Sequence, residues 1–167
     1  SDDALVLNGF SKRFAMTGLR LGYLIAPAAM MGLLQKLQQN LFICAASVSQ
    51  WAGLAALTPD GLAAAEAMRH TYDVRRRALL AGLAKLGLAP RTEPTGAFYV
   101  FVRADHLHPN SLALAYDILE KAHVGVTPGI DFGPGGEGHL RFSYANSLEN
   151  IEEGLERLGR YISDHCA

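Results

Sequence analysis

Lys12 and Arg20 are the residues whose types and spacing point most directly to chemistry, within Gly9-Phe10-Ser11-Lys12-Arg13-Phe14-Ala15-Met16-Thr17-Gly18-Leu19-Arg20-Leu21-Gly22. A lysine amine can condense with an aldehyde to form an imine. An arginine presents a planar fork of donors that matches a phosphate. A small molecule bearing both an aldehyde and a phosphate would suit the pair. Taken singly, either cation reads as a solvated surface group. Specificity comes from the whole register: small residue, apolar residue, hydroxyl residue, lysine, then Gly18-x-Arg20-x-Gly22.

A second polar set lies in His139-Leu140-Arg141-Phe142-Ser143-Tyr144-Ala145. Leu140, Phe142 and Tyr144 alternate with His139, Arg141 and Ser143, so a strand here has one apolar face and one polar face. A guanidinium on such a face is best satisfied by a carboxylate held through two parallel bonds.

The two stretches together resemble the class I/II aminotransferases, a fold-type-I, aspartate-aminotransferase-like family that uses pyridoxal 5'-phosphate. The first resembles the family's cofactor-lysine motif, and the second its Arg-[Phe/Leu]-Ser-[Tyr/Phe]-Ala motif near the C-terminus. The resemblance implies that Lys12 holds pyridoxal phosphate and then shuttles the substrate α-proton, as a general acid-base. It implies that Arg20 pairs with the cofactor phosphate, that Ser11 adds a contact, and that Arg141 binds the α-carboxylate of the amino-acid substrate. Many relatives carry a phosphate-binding serine three residues before the lysine; Gly9 stands there in this chain, so that contact is absent. The run from Phe14 to Gly18 leans toward the bacterial aspartate-type group.

The family's other cofactor contacts come from sequence ahead of the lysine: an aspartate, a stacked aromatic residue, an asparagine and a tyrosine. Asp2 and Asp3 stand too close to Lys12 to supply that aspartate. Residues 4–7 read as a buried strand with nothing before it but residues 1–3, as in a piece of something longer. The resemblance therefore implies a C-terminal portion. The parent would be a homodimeric aminotransferase acting on amino-acid and 2-oxo-acid substrates, and this portion alone would be inactive. A fold-type-I lyase shares these motifs. So does the aminotransferase-like effector domain of a winged-helix transcription regulator, which would add a basic helix-turn-helix upstream. A degenerate scaffold is disfavoured by the intact Lys12, Arg20 and Arg141.

Composition narrows the classes further. The chain has 167 residues, 50% hydrophobic and 19% charged, with a formal net charge of −1. That suffices for one domain, or for a small domain and part of another. Near-neutral charge argues against a nucleic-acid partner, and no apolar run is long enough to cross a membrane. Cys44 and Cys166 fit no ligand spacing, so no metal site is expected; both read as reduced thiols of a cytoplasmic protein.

The elements that must position these residues follow from periodicity. A strand is expected over 19–26, closed by Pro27, then a helix over 28–39 and another over 48–57 capped by Ser47. Met30, Met31 and Trp51 are expected in the core. A long helix over 62–86 carries Leu79, Leu83 and Leu86 on one face and stops at Gly87; Glu66, Arg69, Asp73 and Arg75 to Arg77 form its solvated side. A strand over 97–102 follows a turn at Gly96, which is either a turn glycine or a point of backbone approach to substrate. A helix over 111–122 is capped by Asn110 or Ser111. A strand and turn over 124–129 lead into a flexible glycine-rich connection at 132–138. The last helix places Leu148, Ile151, Leu155, Leu158 and Ile162 on one face. The fold class expected is α/β: residues 1–57 as a remnant of the large cofactor domain, and residues 58–167 as a linking helix with a small α+β domain.

Overall fold

The structure, a computed structural model, describes residues 3–165; Asp2 and Cys166 lie outside them. The chain forms two compact units, one ending at Met68 and one beginning at Arg69.

In the first unit, β1 (Val6–Gly9) and β2 (Gly22–Ile25) form a two-stranded antiparallel ribbon. Its register runs from Val6↔Ile25 to Gly9↔Gly22. The first strand is shifted from the expected 4–7 and is not buried: Leu7 is 82% exposed. The faces of a two-stranded ribbon are covered only where another element packs on them. Two helices follow, α1 (Ala28–Leu41) and α2 (Ser47–Ala56).

Ser47 is the first residue of α2 rather than its cap; Ala46 holds the cap position without a side-chain bond. The buried positions of α2 are Ser49 and Gly53, one turn apart. Trp51 lies two residues from Ser49, about 200° around the helix, and is exposed. Met30 and Met31 are likewise exposed, because α1 buries no residue of its own. These three side chains are therefore not core.

The long helix α3 (Pro59–Lys85) begins three residues before the expected start. Proline at the first helical position has no N–H to leave unpaired, and the Thr58 hydroxyl accepts from the Gly61 amide at 3.3 Å. A Cβ on Gly61 would come within 2.5 Å of the Ala55 and Ala56 carbonyl oxygens, so the joint with α2 needs glycine. At the other end Gly87 adopts φ +75°. The Leu88 amide reaches back to the Leu83 carbonyl and the Gly87 amide to Ala84, a paired closure that seats buried Leu88 in the core.

The second unit is an antiparallel sheet of β3 (Tyr99–Arg103), β4 (Thr127–Pro128) and β5 (His139–Ser143), in the order β3-β5-β4. The helices α4 (Ser111–Ala122) and α5 (Leu148–His165) complete it. Val100 pairs with Phe142 and Val102 with Leu140. These four side chains enter a core with Leu79, Leu83, Leu114, Ile118, Tyr144 and Leu158. The period of two then puts Tyr99, Phe101, His139 and Arg141 on the opposite face.

Of the two caps considered for α4, Asn110 serves: its side chain accepts from the Ala113 amide at 2.8 Å. Ser111 instead ties down the glycine-rich segment, which is not a flexible connection. Its hydroxyl accepts from the Ile130 amide, and its own amide donates to Glu137. Two short 3-10 turns, Gly129–Phe132 and Pro134–Gly136, pack backbone to backbone. A Cβ on Gly129 would lie 1.9 Å from the Gly136 carbonyl oxygen.

Candidate active site

The ribbon's register closes residues 10–21 into a single excursion that carries Ser11, Lys12 and Arg20. The Phe10 amide donates to the Leu21 carbonyl at 3.1 Å and closes its neck. Phe10 and Met16 are its buried anchors, with the Phe10 ring against Phe14 and Tyr23 at 5.4 and 5.9 Å. Helix α2 approaches through its small residues: a Cβ on Gly53 would meet Leu21 at 2.5 Å and Phe10 at 3.7 Å.

On this frame Lys12 lies exposed in a turn and Ser11 is half-buried. The turn is closed by bonds from the Phe14 amide to Phe10 and from the Ala15 amide to Lys12. Ala15 and Arg20 both take left-handed backbone angles, φ 54° and 49°, which cost about 1 kcal/mol each for residues with a Cβ. Such strain collects where geometry serves a site. The Arg20 guanidinium donates through Nη1 to the Thr17 carbonyl at 3.0 Å and stays exposed. An amine, a guanidinium and a hydroxyl thus share one short loop, a donor set that fits a phosphorylated aldehyde.

Arg141 belongs to the second unit. Along β5 it stands opposite Phe101 of β3 and Thr127 of β4. Its guanidinium carbon lies 4.2 Å from the Tyr99 ring centroid and 4.7 Å from that of Phe132. Nη2 donates to the Thr127 hydroxyl at 3.2 Å. Nε is buried and has no hydrogen-bond partner among the described residues, an omission that costs about 1–3 kcal/mol until an acceptor arrives. The cation is half-buried and makes no ion pair among the described residues. An anion held edge-on would complete it.

The motif reading did not single out Tyr99, Thr127 or Phe132 beside Arg141. Tyr99 was within reach, since it alternates with Phe101 on the polar side of its strand. Phe132 was not, because the two packed turns that carry it over β5 leave no local periodicity.

Of the charges expected on the solvated side of α3, Glu66, Arg69 and Arg77 are exposed, whereas Arg76 and Asp73 are tied down. Arg76 is only 15% exposed and binds Asp73, Glu93 and the Pro94 carbonyl. Its hydrogen bond is the main cause holding the Asp73 carboxyl below the usual range. This fork pins the segment that leads to Gly96. Gly96 itself is exposed, with open space where a Cβ would lie. The left-handed residue of that turn is Ala97 (φ 59°), whose carbonyl accepts from the buried Tyr144 hydroxyl at 3.1 Å. Burial pushes the Tyr144 phenol up. No group of three or more metal-ligating side chains converges among the described residues, and none of their helices is long and apolar enough to cross a membrane.

A lysine on a strained hairpin loop and a stacked arginine on a small antiparallel sheet are parts of a known architecture. Residues 1–158 match the family model for aminotransferase class I and II, and the chain belongs to that family. It is 40% identical over 162 residues to the (5-formylfuran-3-yl)methyl phosphate transaminase of Methanocaldococcus jannaschii, covering 97% of this chain and 43% of that protein. It is 38% identical over 161 residues to an aspartate aminotransferase of Pyrococcus abyssi, covering 96% of this chain and 41% of that protein. The crystal structure of an aminotransferase from Mycobacterium tuberculosis superposes with a TM-score of 0.93 at 38% identity, over 98% of this chain and 43% of that one. The chain therefore spans less than half the length of the relatives it matches, and its α/β architecture is part of the fold-type-I, aspartate-aminotransferase-like fold. These relatives are transaminases by name, which does not favour the transcription-regulator reading.

Proposed function

We propose that this chain is the C-terminal portion of a pyridoxal-phosphate-dependent aminotransferase that moves an amino group between an α-amino acid and a 2-oxo acid. The observation that carries the reading is Arg141: a half-buried guanidinium, stacked on two rings, with a buried Nε that no acceptor among the described residues satisfies. A carboxylate is the anion that suits its plane. In this reading Lys12 holds the cofactor and, once released, moves the proton at the substrate α-carbon. Arg20 pairs with the cofactor phosphate and Ser11 adds a hydroxyl. Pyridoxal phosphate, when bound, supplies the electron sink for that chemistry.

Residues 1–57 form the remnant of the cofactor domain in this reading, and residues 58–167 the linking helix and small domain. The division of compact units inside α3 supports a linking role for that helix. A homodimer is adopted from the family. The exposed thiol of Cys44 suits a reducing cytoplasm.

The test is steady-state transamination by the complete enzyme with Arg141→Lys. Loss of one of two charge-assisted bonds removes about 1.5–3 kcal/mol, so KM for the amino acid rises roughly ten- to hundredfold. An unchanged KM would remove Arg141 from the reading.

A further inference from the structure

We propose that Tyr99 and Phe132 are positioning residues that turn Arg141 into an edge-on slot. The slot accepts a planar carboxylate and discriminates against tetrahedral anions such as sulfonates and phosphonates. The inference rests on the reading of Arg141 as the carboxylate-binding group, and adds to it what sets the shape of the acceptor.

Tyr99 comes from β3 and Phe132 from the turn after β4, so the two rings reach the guanidinium from opposite flanks of β5. Each ring face lies within 5 Å of Cζ, at 4.2 and 4.7 Å. With a ring reaching it from each flank of the strand, the guanidinium is left its in-plane N–H groups for recognition. One of those is spent on the Thr127 hydroxyl, which fixes rotation about the side-chain axis. Nε remains in the plane without an acceptor among the described residues. A two-oxygen planar group meets that edge with both oxygens. A tetrahedral group brings a third oxygen out of the plane, against an aromatic face.

Phe132 is not a loose cover. Its ring meets Phe101 edge-on at 5.7 Å and 88°, and Phe101 is stacked on His139 at 4.9 Å. Its turn is fixed by the bond from the Ile130 amide to Ser111 and by the close approach of Gly129 and Gly136. Stacking also confines a side chain that would otherwise sample many rotamers, so the donors are aimed before the ligand arrives.

The experiment titrates the complete enzyme with propionate and with ethanesulfonate, which share an ethyl group but differ in head-group shape. The readout is the side-chain N–H resonance of Arg141 Nε, assigned by its loss in Arg141→Lys. Propionate is expected to shift it, with ethanesulfonate weaker by at least about tenfold. In Phe132→Leu, which alters a half-exposed side chain, the preference falls to within about threefold; Phe132→Tyr, which keeps the aromatic face, retains it. A preference unchanged in Phe132→Leu, or equal binding of both anions by the natural chain, overturns the slot while leaving Arg141 as a carboxylate group. If propionate leaves the resonance unmoved, the underlying reading fails and the slot falls with it.

Discussion

Alanine at Gly136 is expected to destabilise the fold and alanine at Gly135 is not, although the two residues are neighbours in one turn. A Cβ on Gly136 would lie 2.1 Å from the Gly129 carbonyl oxygen and 2.9 Å from its carbon. Ordinary contact begins more than an ångström further out, and both offending atoms are backbone, so no side chain can swing aside. Forcing a methyl group into a packed site costs about 1–3 kcal/mol. The upper end applies here, because the two 3-10 turns must separate. For a chain of this size, about 3 kcal/mol lowers Tm by roughly 6–12 °C. Gly135 has nothing within 4 Å of the added Cβ. Alanine there is neutral, or stabilises by up to about 1 kcal/mol by restricting the unfolded chain. Thermal unfolding of both variants by circular dichroism decides the matter. Equal Tm values would refute the claim that these turns are packed backbone to backbone, and with it the fixed placement of Phe132 beside Arg141.

Other expectations follow from single contacts. Asn110→Ala removes the cap of α4 and costs about 1 kcal/mol, read as a Tm lower by roughly 2–4 °C. Glu137 accepts from the Ser111 and Gly138 amides, chiefly the former, which holds its carboxyl below the usual value of 4.5. Its contribution is therefore present above the unfolded value and lost as pH falls through the lower folded one. Urea unfolding of Glu137→Gln should show a shallower loss of stability on acidification than the natural chain; identical slopes would count against the assignment. Arg76→Ala frees Glu93 and the Pro94 carbonyl, so amide exchange over residues 93–97 should accelerate while α5 stays protected.

Much of the second unit was legible because its strands alternate cleanly. Leu140, Phe142 and Tyr144 face the core as the period of two requires, and Arg141 faces away from it. The helix ends marked by Asn110 and Gly87 carried local chemistry that sequence displays. The first unit was harder to read. Apolar residues such as Met30, Met31 and Trp51 signal burial only where something covers them, and the packed face of α2 is its small-residue face, Ser49 and Gly53. Arg76 looked like one of three solvated arginines, because its partner Glu93 is distant in sequence. The neighbours of Arg141 depend on a turn folded by Ser111 and two glycines, and no local pattern announces such contacts. Ser11, Lys12 and Arg20 were legible as a motif, and the hairpin explains why eight residues of separation leave the two cations on one loop.

The most direct test of the account is the attachment of pyridoxal phosphate. The purified protein is incubated with the cofactor, its visible spectrum is recorded, borohydride is added, and the labelled peptides are mapped. The account predicts an absorbance band that borohydride abolishes, label confined to Lys12, and no label in Lys12→Ala. Label spread over Lys36, Lys85 and Lys121, or undiminished in Lys12→Ala, would contradict it.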